Sequence, residues 1–474
     1  MNMNFKQFAP LYLSVLLLTF LSFPAQAKSY NCAADPTWFS SPGMPTEVAQ
    51  SAKDGSSNFC DFYQFSWQAF AYLMSPTKAD SSIKNFQDNK IFYELEVNSD
   101  GTPANSCDGI KSGNTLFVRV TKPEDAGVPF KIPERINQAG GGATIYDQNG
   151  NVVYYDVKFS KNMCNVPEIN KLDNFPTGST ELKTAWKVLD GADDKSKYIT
   201  MSTRIGTDTT TKTLGMIGFH IAIATTDHPE FVWATFEHDN NAPDCIKPQT
   251  TSGWSFAGKQ CSTDLENKDI LGIINCKFNT ATQQTDPTKV TGTATEICRE
   301  YAYGSAKGDL KYKENVGDII SLNKNVEDYL KGSYAILNNY FNVGAIWVSD
   351  ITQDSIVSNQ RGSLRLANTV AETVHQDVDL TAGFVSNCFG CHNYSASGKN
   401  TTSGGLSHIL DDISAGSGQC LDVRASALIN DQSEAEENCP KTCTNSSGQL
   451  AWNGQWTNKG VPMTVCGCCG KKQM

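Results

Sequence analysis

An α+β fold is predicted for this chain of 474 residues from three features of its pattern. Period-two segments crowd residues 90–240, helical spacing returns between about 310 and 410, and a cysteine-rich tail begins near residue 420. The length allows two or three domains. Phe92-Tyr93-Glu94-Leu95-Glu96-Val97 and Thr115-Leu116-Phe117-Val118-Arg119-Val120 alternate as strands do. Thr144–Asp147 and Val152–Tyr155 flank Asn149-Gly150, a hairpin turn that needs positive φ. Ala139-Gly140-Gly141-Gly142 lacks the Lys and following helix of a phosphate loop, so it reads as a turn.

Met216–Ala224 predicts a strand with unlike faces: Ile217, Phe219, Ile221 and Ile223 on one, Gly218, His220, Ala222 and Ala224 on the other. Small neighbours around His220 leave room for a flat group. Thr225–Glu230 reads as a turn in which His228 is solvated, and Phe231–His238 as the returning strand. Loop parity decides what shares the His220 face: Trp233, Thr235 and Glu237 if even, His238 if odd. Helices are expected over Asp61–Phe70, whose aromatic stripe (Trp67 and Phe70 included) fits core packing, over Val326–Asn342, and over Leu366–Asp377.

Residues 1–27 have the form of a Sec signal peptide: Lys6, an apolar run from Leu11 to Phe23, and Ala25-Gln26-Ala27 as a cleavage site. No later run reaches membrane-spanning length, so no span is expected after signal removal. There are 16 cysteines, and sixteen in an exported chain imply disulfides. The expected location is periplasmic or secreted, in a bacterium. The net charge of −11 without a basic cluster argues against nucleic acid and anionic membrane as partners. Neither a nucleophile elbow nor H-E-x-x-H appears, which argues against a hydrolase.

Cys388-Phe389-Gly390-Cys391-His392 is the most informative motif. A bare C-x-x-C also serves redox dithiols and zinc sites, but the adjacent histidine makes C-x-x-C-H the attachment signature of a c-type haem. Two thiols add to the vinyl groups of one porphyrin, and the histidine becomes the proximal iron ligand. One covalent haem c held by Cys388, Cys391 and His392 is therefore expected. Removing Cys388 and Cys391 leaves eight cysteines before the motif and six after it, so each part can close its own bridges. About thirty residues separate His392 from the tail, and the only later methionines, Met463 and Met474, lie inside the tail. The haem must then be covered by the β-rich part, and candidate sixth ligands are His238, His220 and His408, in that order, with His375 after them. An open iron is the alternative. Two strong axial ligands favour electron transfer; an open position permits peroxide, oxygen or small-ligand chemistry.

Gly218–Ile221, Trp233–Asn240, Leu366–Thr369 and the C-x-x-C-H together resemble a group of exported bacterial haem proteins, a likeness scattered over about 60–410. It implies one mono-haem, cytochrome-like unit and no particular substrate. Cys439-Pro440 with Cys443, then Trp452-Asn453-Gly454-Gln455-Trp456-Thr457 and Met463-Thr464-Val465-Cys466-Gly467-Cys468, resembles the mannan-binding lectin module. That resemblance covers about 420–469 and implies a small sheet with one helix over Ser433–Thr442. Sugar stacking on Trp452 or Trp456, with polar contacts from Asn453, Gln455 and Thr457 and close approach at Gly454, suits such a site. The lectin repeats carry Gly-Pro-Leu-Trp where this chain has Ser426-Ala427-Leu428-Ile429, so one tryptophan of that sugar site is missing.

The expectation is a signal peptide (1–27), an α+β haem domain (28–412) and a mannan-binding-like module (420–474). The haem domain has a β-rich haem-covering part at 90–240 and helices around the C-x-x-C-H at 310–410. The module is a small disulfide-stapled α+β unit. The expected function is electron transfer, or haem-dependent oxidoreductase chemistry, tethered to a mannose-containing glycan. Its partner would be a redox protein or a small oxidant or reductant. The alternative is a carbohydrate-binding or adhesion protein whose haem is structural or gas-sensing.

Overall fold

A computed structural model describes residues 30–94, 118–119, 145–165, 174–203, 210–245, 253–259, 261–262, 294–351, 360–373, 376, 387–392, 394–395, 398–399, 402–407, 420–425, 428–446, 450–457 and 464–470. The signal-peptide segment, His375, His408 and the Gly140–Gly142 turn lie outside them. No described helix is long and apolar enough to cross a membrane.

The fold is α+β. Nine antiparallel strands form one sheet: β1 (Phe92–Glu94), β2 (Val118–Arg119), β3 (Tyr154–Ser160), β4 (Thr180–Val188), β5 (Thr200–Thr203), β6 (Lys212–Ile223), β7 (Val232–His238), β8 (Tyr340–Val348) and β9 (Gln360–Gly362). Their order is β1-β3-β4-β6-β7-β8-β9, with β2 also on β3 and β5 also on β6. Ahead of β3, Tyr146 pairs with Val152 around Asn149-Gly150, and Gly150 has φ 81°, as the turn requires.

One sheet face is covered by α2 (Phe59–Met74), which follows the short α1 (Thr37–Ser40). Asn58 and Asp61 cap α2 reciprocally, each side chain accepting the other's backbone N–H, at 3.1 Å and 2.7 Å. Its aromatic stripe enters the core: Phe70 stacks on Phe236 at 3.9 Å, and Trp67 meets Phe236 edge-on at 5.0 Å. Both rings are therefore core residues. A third helix, α3 (Tyr312–Val326), packs beside α2, and the Trp67 indole donates to Asn323 across the pair.

A helix over Val326–Asn342 is not formed. A 3₁₀ turn spans Gly332–Asn339 and Tyr340 begins β8. Gly332 takes φ 60°, which breaks any helix there. The aromatic residues that mimic helical spacing reach the core from separate elements: Tyr329 and Tyr334 pack on Phe39, whereas Tyr340 packs on His238. Residues 366–373 are likewise irregular. Three successive backbone N–H groups go to side chains instead of to a helix, Asn368 to Glu372 (2.7 Å), Thr369 to Glu237 (2.6 Å) and Val370 to Asn368 (3.0 Å), while Ala371 and Glu372 close a single turn on the Asn368 carbonyl.

A two-stranded hairpin, β10 (Tyr394–Ser395) with β11 (Gly398–Lys399), precedes the tail, which forms a three-stranded sheet of β12 (Cys420–Arg424), β13 (Leu450–Thr457) and β14 (Val465–Gly470) in the order β12-β14-β13. One helix accompanies it (Gln432–Ser446). The Cys439–Cys466 and Cys443–Cys468 bridges join helix to strand. Cysteines four apart on a helix rise about 6 Å, and cysteines two apart on a strand rise about 6.6 Å, so the two rungs match. The other described pairs, Cys32–Cys60 and Cys245–Cys298, also stay on their own side of the C-x-x-C-H.

Candidate functional site

The second sheet face carries the candidate chemistry. In the β6–β7 register Gly218 opposes Glu237, His220 opposes Thr235 and Ala222 opposes Trp233. The loop therefore has even parity, and Trp233, Thr235 and Glu237 share the His220 face. From β4, Lys183 opposes His220 and Glu181 opposes Ala222. Ile217 departs from the expected alternation. It is the extra residue of a bulge between Ala185 and Trp186, which turns it towards Ala185, Tyr155 and Val370 on the His220 side. Phe219, Ile221 and Ile223 remain on the opposite face in the main core.

The C-x-x-C-H lies on the His220 side as the short helix α4 (Cys388–His392). Phe389 is buried among Trp233, Ala222, Val157 and Leu406, which fastens α4 to the sheet. Helical periodicity puts positions 388, 391 and 392 on one side of that turn. The His392 ring lies 4.4 Å from Trp233, and its Nδ1 is 2.8 Å from the Leu406 carbonyl oxygen. A carbonyl only accepts, so Nδ1 carries the proton and Nε2 carries the lone pair. A backbone acceptor on Nδ1 is the usual outer-shell partner of a metal-bound imidazole. Ser407, next in sequence, donates to Glu181 of β4, so the segment holding His392 is itself tied to the sheet. These residues fit a c-type haem: the motif, a lone pair on Nε2, and an apolar surround of Trp233, Phe389 and Leu406.

His220 sits nearby on the same face with 16 % of its side chain exposed. Its Nε2 lies 3.4 Å from Glu372 Oε1 but makes no hydrogen bond, the angle being unfavourable. Burial, helped by Lys183, pulls the imidazole down to about 3. Burial pushes the Glu372 carboxyl up to about 8 against the pull of the Asn368 N–H and Lys183, with the Glu237 charge adding to the rise. Gly218 has no Cβ because Val370 and Asn368 come within 3.1–3.3 Å of where one would stand. The bare end of the small-residue strip is thus filled by the chain itself.

His238 faces the other way. It stacks on Tyr198 at 4.2 Å, its Nε2 donates to the Lys197 carbonyl (3.0 Å) and its Nδ1 accepts from Asn240 N–H (3.1 Å). Burial lowers its pKa to about 4, although the Lys197 carbonyl opposes the drop. The unfolded chain takes up this proton near pH 6.5 and the folded chain only near 4. Stability should therefore fall as pH drops through that window, by roughly 3 kcal/mol in all. Urea melts from pH 7 to 4 check this: His238→Phe should flatten the loss, and an unchanged slope would show that other groups cause it. His228, expected in solvent, is buried, 2.8 Å from Glu47 Oε1 and 3.0 Å from Thr225 Oγ1. The turn is closed by Glu47 from the N-terminal segment, a partner its own sequence does not announce.

Glu237 is fully committed. It accepts Thr369 N–H and O–H on one oxygen (2.6 and 2.8 Å) and Arg299 on the other (3.0 and 3.2 Å), while Arg299 also reaches Asp244 (2.8 Å). Glu372, Lys183 and the Leu406 carbonyl were not singled out by sequence. Nothing local marks them, since their roles come from the strands they meet.

In the tail, Trp452 and Trp456 are half-buried against the module core, and Trp456 Nε1 donates to Gln432 (2.7 Å). The register shifts between them, so β13 carries Asn453, Gly454 and Gln455 in an irregularity opposite β14. Ile429, at the place of the lectin loop's tryptophan, is buried and its N–H donates to Thr464 (2.6 Å), whereas Leu428 is exposed. A family described as Mannan-binding protein matches residues 432–468. No curated protein and no solved structure matches the chain. The family match supports the lectin-like reading of the tail.

Proposed function

We propose that this is a glycan-tethered haem protein with a redox role. Cys388 and Cys391 would carry one haem c by thioether bonds, and His392 would ligate its iron. The observation that carries this reading is the Nδ1 contact of His392 with the Leu406 carbonyl, which sets the tautomer a proximal ligand needs. When bound, the haem supplies one-electron chemistry. The chain's own part is to hold the imidazole through Leu406 and Ser407, and to shield it with Trp233 and Phe389.

Of the candidate sixth ligands, His220 is the described one that shares the His392 side of the sheet; His238 has both nitrogens engaged on the other. Glycan binding by the tail is supported by the family match, with the half-buried Trp452 and Trp456 as the rings a sugar would stack on. The disulfides agree with an oxidising, exported location.

Full-length protein made in a host that matures cytochromes c should be coloured and carry the mass of one haem, and His392→Ala should keep the mass but lose the native spectrum. A colourless product without added mass would end the haem reading. The family match also favours a second reading, a glycan-binding or adhesion protein whose haem is structural or gas-sensing. A glycan array of the full chain against a version ending before residue 420 tests the tether. Turnover with a redox partner separates the two readings, since a structural haem would show none.

A further inference from the structure

We propose that the side chains of Lys158 and Asn89 join as an intramolecular amide, an isopeptide bond, with Asp156 as the acceptor of the lysine proton. This bond is independent of any haem. Three groups meet at the place in question. Lys158 Nζ donates to Asn89 Oδ1 at 3.2 Å. Asp156 Oδ2 stands 3.9 Å from the same Nζ, too far for a hydrogen bond, and it is buried without a hydrogen-bond partner among the described residues. Lys158 and Asp156 are each 3 % exposed, and Asn89 is half-buried.

Strand alternation brings the lysine and the aspartate together. Val157 and Phe159 point to the His392 side, so Asp156 and Lys158 share the α2 side with Tyr154. Across β4 their opposites are Thr184 and Leu182, with Trp186 opposite Tyr154. Thr184 does not satisfy the carboxylate: its hydroxyl accepts the Trp186 indole at 2.6 Å and turns to the Asp156 main-chain oxygen at 3.5 Å. Asn89 is presented by a segment anchored on both sides. Phe86 is buried on Trp186 and Phe92 is buried where β1 meets β3, while the Asp88 carbonyl accepts the N–H groups of Ile91 and Phe92. Lys187, buried in the same sheet, differs in being bonded to Asp193 at 2.8 Å.

A buried amine held against a carboxamide, with a carboxylate oxygen in reserve, has a reaction open to it. One proton passes from Nζ to Asp156 Oδ2. The free amine then adds to Asn89 Cγ, which lies at most one C=O bond, about 1.2 Å, beyond the oxygen it already touches. The Nζ–Cγ bond forms, a second proton moves through the carboxyl to Nδ2, the Cγ–Nδ2 bond breaks, and ammonia leaves. Ammonium, carboxylate and carboxamide thus become amide, carboxylic acid and ammonia. Atoms and charge balance, and neither oxidant nor cofactor is needed. Both buried charges vanish together, and their desolvation cost with them. The product clamps the segment before β1 to β3, 69 positions along the chain, with a link that no reductant opens.

The test is mass analysis of the full-length protein with its disulfides reduced, first intact and then as a peptide map, which reads the same whether or not a haem is attached. The bond should lower the mass by about 17 Da, that of one ammonia, and yield one branched peptide holding both Asn89 and Lys158. Lys158→Arg should lose the branched peptide and regain the full mass. Asp156→Asn, nearly isosteric, should form the bond about 100-fold more slowly, read as unlinked protein in fresh preparations. Separate, unmodified peptides around Asn89 and Lys158 in folded wild type overturn the proposal. So does the same mass loss mapped to Asn149-Gly150 or Asn453-Gly454, because Asn-Gly can lose ammonia by closing a cyclic imide on its own. Equally fast linkage in Asp156→Asn overturns the part given to the carboxylate. The wild-type map alone decides whether the bond exists, so a variant that fails to fold does not blunt the test.

Discussion

Glu237→Ala should destabilise the protein by about 3–5 kcal/mol, the cost of removing one member of a buried ion pair. Glu237 and Arg299 are buried, at 0 % and 5 % exposure, and Arg299 lies over the Phe341 ring at 4.9 Å. Without the carboxylate, the guanidinium keeps its hydrogen bond to Asp244 but loses its fully buried partner, and Thr369 loses the acceptor of both its N–H and its hydroxyl. The loop 366–373 would be loosened at Thr369 and held to β7 only through the Asn368 amide, which donates to Thr235 Oγ1 and the Phe236 carbonyl. Replacing both partners, as Glu237→Leu with Arg299→Met, should recover much of the loss, since no charge is then left buried. Urea denaturation of the three proteins decides the matter: a loss under about 1 kcal/mol in the single variant would mean that water reaches the pair.

The second large effect is expected in the tail. Among the described residues its core consists of Val423, Ala425, Ile429, Ala435 and the four half-cystines 439, 443, 466 and 468, with Trp452 and Trp456 packed against it. So few apolar side chains cannot offset the entropy of ordering the segment, and small modules depend on bridges for that reason. Each bridge contributes about 2–5 kcal/mol, so Cys439→Ser with Cys443→Ser should unfold residues 432–468 outright. Hydrogen exchange followed by peptide mass analysis should show protection lost there and retained in β6 and β7. Protection that persists in the tail of the double variant would show a core stronger than these residues allow. Glycan binding, if the tail has it, should vanish with the fold.

Local chemistry was the legible part. The hairpin at Asn149-Gly150 and the strands at 216–223 and 232–238 follow from periodicity and turn residues, whereas the tail helix was implied by the resemblance to the lectin module. The pairing of His220 with Trp233 and Thr235, and not with His238, was undecidable, because one residue of register reverses it. Val326–Asn342 misled because its aromatic residues satisfy helical spacing while serving three separate elements. Leu366–Asp377 misled because side chains draw its backbone N–H groups out of a helical ladder, among them Glu237, more than a hundred residues earlier, which takes Thr369 N–H. Glu372 and Lys183 were invisible as site residues for the same reason, their neighbours being set by strand order.

The bulge at Ile217 bears on how the chain tolerates changes of length. Deleting a residue from a central strand normally turns every later side chain over, but here the surplus residue is the one removed, and a plain ladder closes behind it. His220 would keep its orientation towards Thr235 while Met216 kept its own, so β6 can shed a residue at this point and leave the floor beneath the motif facing the same way.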